Sequence, residues 1–542
     1  MLRPQTQSNT NLTTLVEHLA SYDPEAHGNL NQMISGISMN SKTIESGDLY
    51  AAVAGARHHG ADYIDEAIAA GAVAVLTDTS GVDRIPGTIP YVIVKDVRAA
   101  LADAAALIYG NNGVVTPQVY GVTGTNGKTT TTYFLNAILE NLGHTTGLIG
   151  TIETRIAGTS VTSEFTTPEA PDLHSLIARM RQADVTAASM EVSSHAMAYK
   201  RSYGLMYGVV GFTNLTQDHL DLHGDMTEYF QAKATLFEDD HSAVRVITLN
   251  GGAEPHWGER LAAQVPDAIT LDLGPAAPTD RQPKQATWRV TTIEPAGLGH
   301  RFTLQHESGM TVTTRVGMPG KFNIANAALA AVMVYAGHAR HHWDHISAVL
   351  ERRKGAPFES AVPGRMEVIS ETPTVVVDFA HNPDGLTEAL QAVNRASRQQ
   401  HGPLARTIVV FGATGERDTA KRPLMGRIAA EHADVVIITD DDPHHEDPTG
   451  IRQAVLSGAR EVAAEMDDGP EILEIAPRAQ ALAQAVRLAR STDTILAAGR
   501  GHETHQDLAG VAFPIDDRQV LHEALEDHGF ITTGAASPRS AD

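Results

Sequence analysis

Gly124-Thr-Asn-Gly-Lys-Thr-Thr130 has the residue types and spacing of a phosphate-binding loop. Glycines let backbone N–H groups approach an anion, and the open N–H groups and dipole of a helix start favour negative charge. Lys128 is placed to reach the outer phosphates, and Thr129 or Thr130 to hold Mg²⁺. The pattern is a shortened one, because Val122 stands where the full motif has its first glycine. Further along lie Glu191 after Ser189-Met190, His219 within Asn214-Leu-Thr-Gln-Asp-His-Leu-Asp221, and Lys233 in a helix-like stretch from Tyr229 to Phe237. A carboxylate beyond a phosphate loop suits Mg²⁺-nucleotide chemistry, since Mg²⁺ takes oxygen ligands. Each also has a plainer reading: an exposed strand-end carboxylate, a loop histidine capping a helix, a solvated lysine.

Apolar runs and turn signals place these residues on a parallel sheet. A β-rich run from Val114 to Val122, broken by Pro117, precedes the loop, and a helix with Tyr133, Leu135, Ile138 and Leu139 on one face follows it. Further runs at 146–150, 185–192, 208–213 and 244–249 alternate with helical patterns, which implies a mostly parallel sheet covered on both faces. Ligands of such sheets bind at the carboxyl ends of the strands. Residues 287–316 alternate like antiparallel strands, and an Ala-rich helix runs to Tyr335. A second alternating region has strands at 374–378, 407–411, 435–439 and 494–498. Polar loops end them: Asp378-Phe-Ala-His-Asn-Pro-Asp384, Gly412 to Asp418, Asp440 to Glu446 and Gly499-Arg-Gly-His-Glu503. These suggest a second ligand site. Before the phosphate loop, strands and helices between residues 34 and 109 form a small α/β unit. The expectation is three domains: 1–116, 117–360 and 361–542, the last ending in a disordered tail from Gly534.

With 65 acidic and 41 basic residues the formal net charge is −24. That argues against a general nucleic-acid or anionic-membrane surface. There are no cysteines, which excludes disulfides and thiolate chemistry. No leader pattern opens the chain and no apolar run reaches membrane-spanning length, so a soluble cytoplasmic protein is expected.

Taken together, these motifs resemble the Mur ligases, the ATP-dependent amide-forming family of peptidoglycan precursor synthesis. The resemblance covers about residues 34–515. It rests on the phosphate loop, Glu191 with Ser193-Ser-His195, Asn214 to His219, Pro319-Gly-x-Phe-Asn-x-x-Asn326, Gly364-Arg-Met-Glu367 and Asp378 to Asp384. Asp218-His-Leu-Asp-Leu-His-Gly224, Lys421-Arg-Pro-Leu-Met-Gly426 and Gly499 to Glu503 resemble the branch that adds the third stem-peptide residue. The resemblance implies an N-terminal domain for the UDP end, a central P-loop-type ATPase and a Rossmann-like C-terminal domain for the incoming amino acid. It implies that Met39, Ser41, Ala56, Arg57 and His58 contact the UDP-sugar, and that Thr166, Thr167, Ser193, Tyr199 and Arg201 contact the rest of that substrate. Gly124, Thr125, Asn126, Gly127, Lys128, Thr129 and Thr130 would bind the ATP phosphates, with Asn326, Arg365 and Asp378 as further nucleotide contacts. Thr129, Glu191 and His219 would serve Mg²⁺, joined by Lys233 as a carbamate, which turns a cation into a carboxylate-like group. ATP would phosphorylate a substrate carboxylate and an amine would displace the phosphate. A mobile third domain would close over the reaction.

The incoming amino acid falls to Asp441, Asp442, His444, Gly499 and Glu503. Family members that add meso-diaminopimelate resemble Asp-Asn-Pro-Arg at this loop, where the arginine pairs with a distal carboxylate. Here Asp442 and His444 stand in those places, and a second family arginine aligns with Asn394, beside Arg395. The charge change favours a distal ammonium, hence L-lysine or L-ornithine over meso-diaminopimelate. Three other readings stay open: a folylpolyglutamate-synthase-like ligase, another Mur ligase, and a nucleotide-binding scaffold or switch. Small-molecule substrates, a monomer and no membrane insertion are expected.

Overall fold

The computed structural model describes residues 3–4, 10–55, 58–114, 116–161, 165–249, 256–277, 286–352, 354–359 and 361–530. The tail expected from Gly534 lies outside them. Among the described residues no helix is long and apolar enough to cross a membrane.

The first sheet has five strands, ordered Glu25–His27, Tyr91–Ile93, Ala74–Thr77, Asp48–Ala51 and Gly36–Ser38. All but the first are parallel to their neighbours. The Ala-rich helix Val97–Ile108 packs on it, and its small side chains admit the helix Ala170–Gln182 of the next unit, whose Ala178 shares the same core.

The central sheet has eleven strands. Its seven parallel members run in the order Thr146–Ile149, Ala187–Glu191, Gln118–Thr123, Tyr207–Phe212, Ser242–Leu249, Ile269–Asp272 and Trp288–Ala296. Antiparallel strands continue it at both edges: Thr154–Ile156 and Thr159–Val161 on one side, Gly299–His306 and Thr311–Val316 on the other. The strand leading into the phosphate loop begins at Gln118, not Val114, after Pro117, which has no N–H to give a ladder. Both faces are buried, one against helices Lys128–Asn141 and Lys321–Ala336, the other against Ala170–Gln182 and Met226–Ala234. This is why the strands read as continuous apolar runs rather than alternating ones.

The third sheet has six strands, ordered Glu367–Glu371, Thr374–Asp378, Thr494–Ala498, Thr407–Phe411, Val435–Ile438 and Glu471–Glu474. Only the first is antiparallel. Four of them stand where the apolar runs put them. Glu367–Glu371 and Glu471–Glu474 went unread because their charged ends hide edge strands. A hairpin, His505–Leu508 with Val511–Pro514, follows the last strand. The carboxyl ends of the central and third sheets open onto one shared cleft of about 950 Å³.

Candidate active site

The phosphate loop is held in a conformation that only glycine accepts at two points. Gly124 and Gly127 have φ of 147° and 86°, and an added Cβ would lie 1.8 Å from Thr213 Oγ1 or 2.3 Å from Asn326 Oδ1. Thr213 Oγ1 donates to Asn126 O at 2.7 Å, and Asn126 N donates to Asn214 Oδ1 at 3.0 Å, so the strand-end residues 213–214 clamp the loop. Gly127 caps the helix Lys128–Asn141 without a side-chain bond, which leaves the first-turn N–H groups available to an anion. Lys128 Nζ folds back onto Gly124 O and Thr125 O at 3.1 and 2.9 Å. Burial lowers its pKa, opposed by Glu191 and Asp218.

Glu191 ends its strand fully buried, not exposed. Thr129 Oγ1 donates to its Oε2 at 2.9 Å, Thr151 N to its Oε1 at 2.8 Å, and Thr151 Oγ1 to its Oε2 at 3.1 Å. His219 adopts φ 53° at the start of the short helix Leu220–His223, with its ring 4.8 Å from that of His195. Burial pushes its pKa down to about 3, so the imidazole is neutral and able to ligate. Lys233 is 1 % exposed, behind the loop. Its Nζ donates to Gly124 O at 2.9 Å and lies over the Tyr229 ring at 4.6 Å. Burial, then the nearby Lys128, hold its pKa well below the usual lysine value. A solvated lysine is therefore excluded. Thr129 and Glu191 offer hard oxygen atoms side by side at the mouth of the phosphate loop, a donor set that fits Mg²⁺.

The third unit reaches into this site. Arg365 Nη2 donates to Thr129 Oγ1 at 3.3 Å, and its guanidinium covers the Phe379 ring at 4.2 Å. Asp378 Oδ2 accepts from Met366 N at 2.7 Å, which fixes the turn carrying Arg365. Asn126 Nδ2 donates to Asp384 Oδ2 at 3.1 Å, and Asn382 Nδ2 to Asn126 Oδ1 at 3.3 Å. Asn326 Nδ2 donates to Asn323 Oδ1 at 3.2 Å.

Thr166, Thr167, Ser193 and Arg201 form one cleft wall. Arg201 Nε pairs with Glu169 at 2.8 Å. Tyr199, Met39, Ser41 and His58 do not line the cleft. Tyr199 lies under Arg98 of the first unit at 4.9 Å, Ser41 is buried there and His58 is exposed there. Ala56 and Arg57 lie outside the described residues.

Asp441, Asp442, Gly499 and Glu503 line the opposite end. The fully buried Arg500 Nη1 sits 2.6 Å from Asp442, 3.5 Å from Asp441 and 3.4 Å from Glu503. Burial and then Asp441 raise the Glu503 pKa to about 8 against the pull of Arg500. His444 does not line the cleft: its Nδ1 lies 3.0 Å from Asp507, docking the 505–514 hairpin. Asn394 is also turned away, donating to His432 O at 2.7 Å, so the alignment of an arginine with it has no meaning for the cleft. Arg395 and Arg417 line the wall instead. Thr151, Asn382, Asp384, Arg417 and Arg500 escaped sequence reasoning. Asn382, Asp384, Arg417 and Arg500 lay within polar loops already singled out, whereas Thr151 carried no signal.

Residues 33–109 match the catalytic domain of the Mur ligase family, 122–334 the Mur ligase middle domain and 364–501 the Mur ligase glutamate ligase domain. A Streptomyces avermitilis protein named UDP-N-acetylmuramoyl-L-alanyl-D-glutamate--2,6-diaminopimelate ligase is 38% identical over 97% of this chain and 98% of its own length. A Leifsonia xyli UDP-N-acetylmuramyl-tripeptide synthetase is 40% identical over 95% and 96%. A solved structure of a UDP-N-acetylmuramoyl-L-alanyl-D-glutamate--2,6-diaminopimelate ligase superposes with TM-score 0.63 at 25% identity, covering 97% of this chain and 100% of that one. MurF from Acinetobacter baumannii shares the fold, with TM-score 0.62 at 18% identity over 96% and 99%. The chain belongs to the Mur ligase family and is an ATP-dependent ligase.

Proposed function

We propose that the protein adds the third amino acid to the D-Glu γ-carboxylate of UDP-N-acetylmuramoyl-L-alanyl-D-glutamate. The observation that carries this reading is the single cleft joining a phosphate loop, the Thr166–Arg201 wall and the acidic end at Asp441, Asp442 and Glu503. Those are the three stations an ATP-driven amide synthesis needs.

The loop amides, Lys128 and Arg365 cradle the triphosphate of ATP, with Asn326 and Asp378 beside the nucleotide. Arg201 and Ser193 hold the acyl substrate so that its γ-carboxylate faces the terminal phosphorus. Thr129, Glu191 and His219 would hold Mg²⁺, which would neutralise phosphate charge when bound. Phosphoryl transfer gives an acyl phosphate and ADP. The amine then attacks the acyl carbon, phosphate leaves, and the proton lost by the amine passes to solvent or phosphate. Positioning supplies most of the acceleration. Lys233 is the residue for carbamylation. Burial shifts its amine towards the neutral form, the one that reacts with CO₂, and the carbamate would stand against the same phosphate loop. The UDP-linked substrate places the reaction in the cytoplasm, and one chain carries every station, so a monomer suffices.

For the amino acid we favour L-lysine or L-ornithine. The acidic end sets Asp441 and Asp442, with Glu503 ionising as the pH rises towards about 8, against the Arg500 guanidinium, an arrangement that suits an ammonium. The residue in the family-arginine position, His444, is engaged by Asp507 outside the cleft. The second reading is meso-diaminopimelate; several relatives carry 2,6-diaminopimelate in their names. Among the cations that line the cleft, Arg395 and Arg417 would take its distal carboxylate. Offering lysine, ornithine and meso-diaminopimelate separately and weighing the products by mass decides between them. Product with meso-diaminopimelate alone overturns the ammonium reading.

A further inference from the structure

Thr151 sits at the junction of the carboxylate Glu191 and the acyl-substrate wall. Its Oγ1 lies 3.1 Å from Glu191 Oε2 and 3.0 Å from Thr166 Oγ1. Thr151, Thr166 and Glu191 all line the cleft. A hydroxyl has one proton, and an ionised carboxylate can only accept. The Thr151 proton is therefore committed to Glu191, so the Thr166–Thr151 contact must be donated by Thr166. With its own proton spent, Thr166 can offer only lone pairs to whatever occupies the cleft.

The same logic holds on the other side of Glu191. Arg365 is a pure donor and gives to Thr129 Oγ1 at 3.3 Å, which leaves the Thr129 proton for Glu191 at 2.9 Å. Two threonine hydroxyls are thus oriented by one carboxylate. Across the wall Arg201, whose Nε pairs with Glu169 at 2.8 Å, can only donate. The wall thus presents an acceptor at Thr166 and a donor at Arg201, a pattern that matches an amide N–H beside a carboxylate.

We propose that Thr151 is a positioning residue that fixes the polarity of Thr166, so that Thr166 accepts a hydrogen bond from the amide N–H of the D-Glu unit while Arg201 takes a carboxylate. This rests on the acyl substrate named above. Its experiment is equilibrium binding without ATP, comparing UDP-N-acetylmuramoyl-L-alanyl-D-glutamate with the analogue in which D-2-hydroxyglutarate replaces D-Glu. The analogue has an ester oxygen in place of that N–H.

Wild type and Thr151→Ser are expected to bind the amide about five- to ten-fold more tightly than the ester, the worth of one hydrogen bond. Thr151→Val frees the Thr166 proton, and the preference is expected to fall below about two-fold. Thr166→Val is expected to lose it equally. Equal binding of amide and ester by wild type overturns the polarity argument, as does full discrimination by Thr151→Val. A wild type that binds neither ligand instead overturns the substrate assignment on which the proposal rests.

Discussion

Arg365 Nη2 and Thr129 Oγ1 meet at 3.3 Å although 236 positions separate them. The contact joins the turn before the third sheet to the first turn of the phosphate helix, so the proposed nucleotide site depends on how the two units are docked. Burial lowers the Arg365 pKa against the pull of Asp378 and Glu191. Arg365→Ala is expected to reduce kcat roughly 10²-fold or more, the usual cost of removing a charge-stabilising donor. Arg365→Lys is expected to recover little of it, because a point charge cannot both cover Phe379 and reach Thr129. Steady-state kinetics with saturating ATP check this.

Lys233 Nζ donates to Gly124 O, and burial lowers its pKa well below the usual lysine value. A carbamate there predicts activity that falls when the protein is freed of CO₂ at acid pH and returns with bicarbonate. Lys233→Ala is expected to lose roughly 10²-fold or more in kcat without recovery by bicarbonate. Intact mass at neutral pH, showing one added CO₂, is the direct check.

The Glu503 carboxyl, raised to about 8, is mostly protonated at neutral pH. In the proposed ammonium site the carboxyl is needed in its ionised form, so amino-acid uptake below about pH 8 would cost a proton, and affinity should rise as the pH rises through that value. The KM for the amino acid is expected to fall by up to about tenfold between about pH 7 and pH 9. Glu503→Gln should flatten this slope, which a KM–pH series on both proteins would reveal.

Asp442 and His444 make opposite predictions despite being neighbours in sequence. Asp442 lines the cleft and is bound by Arg500 at 2.6 Å, whereas His444 pairs with Asp507 away from it. Asp442→Asn is expected to raise the amino-acid KM about tenfold, since it weakens a charge-assisted contact. His444→Ala is expected to leave the choice between lysine and diaminopimelate within about twofold, acting on hairpin docking instead. Competition assays with paired amino acids separate the two.

Much of this arrangement was legible because parallel strands buried on both faces read as apolar runs and their ends as polar loops. Gly124, Lys128, Glu191 and the loop at Asp378 fall out of that rule. What was hidden depended on contacts between distant segments. Lys233 looks like any helix lysine until Gly124 O and Tyr229 enclose it. His444 looks like a cleft residue until Asp507 turns it away. Asn394 offered a register match that its bond to His432 O annuls. Thr151 follows an ordinary strand end, and only the fold brings Glu191 and Thr166 to its two sides.

The measurement that tests the central claim most directly is oxygen transfer from substrate to phosphate. The γ-carboxylate of the D-Glu unit would carry heavy oxygen, and the phosphate released during turnover with ATP, Mg²⁺ and lysine or ornithine would be weighed. An acyl-phosphate route predicts one heavy oxygen in each phosphate released. Phosphate free of label, or released at the same rate without the acyl substrate, would contradict it.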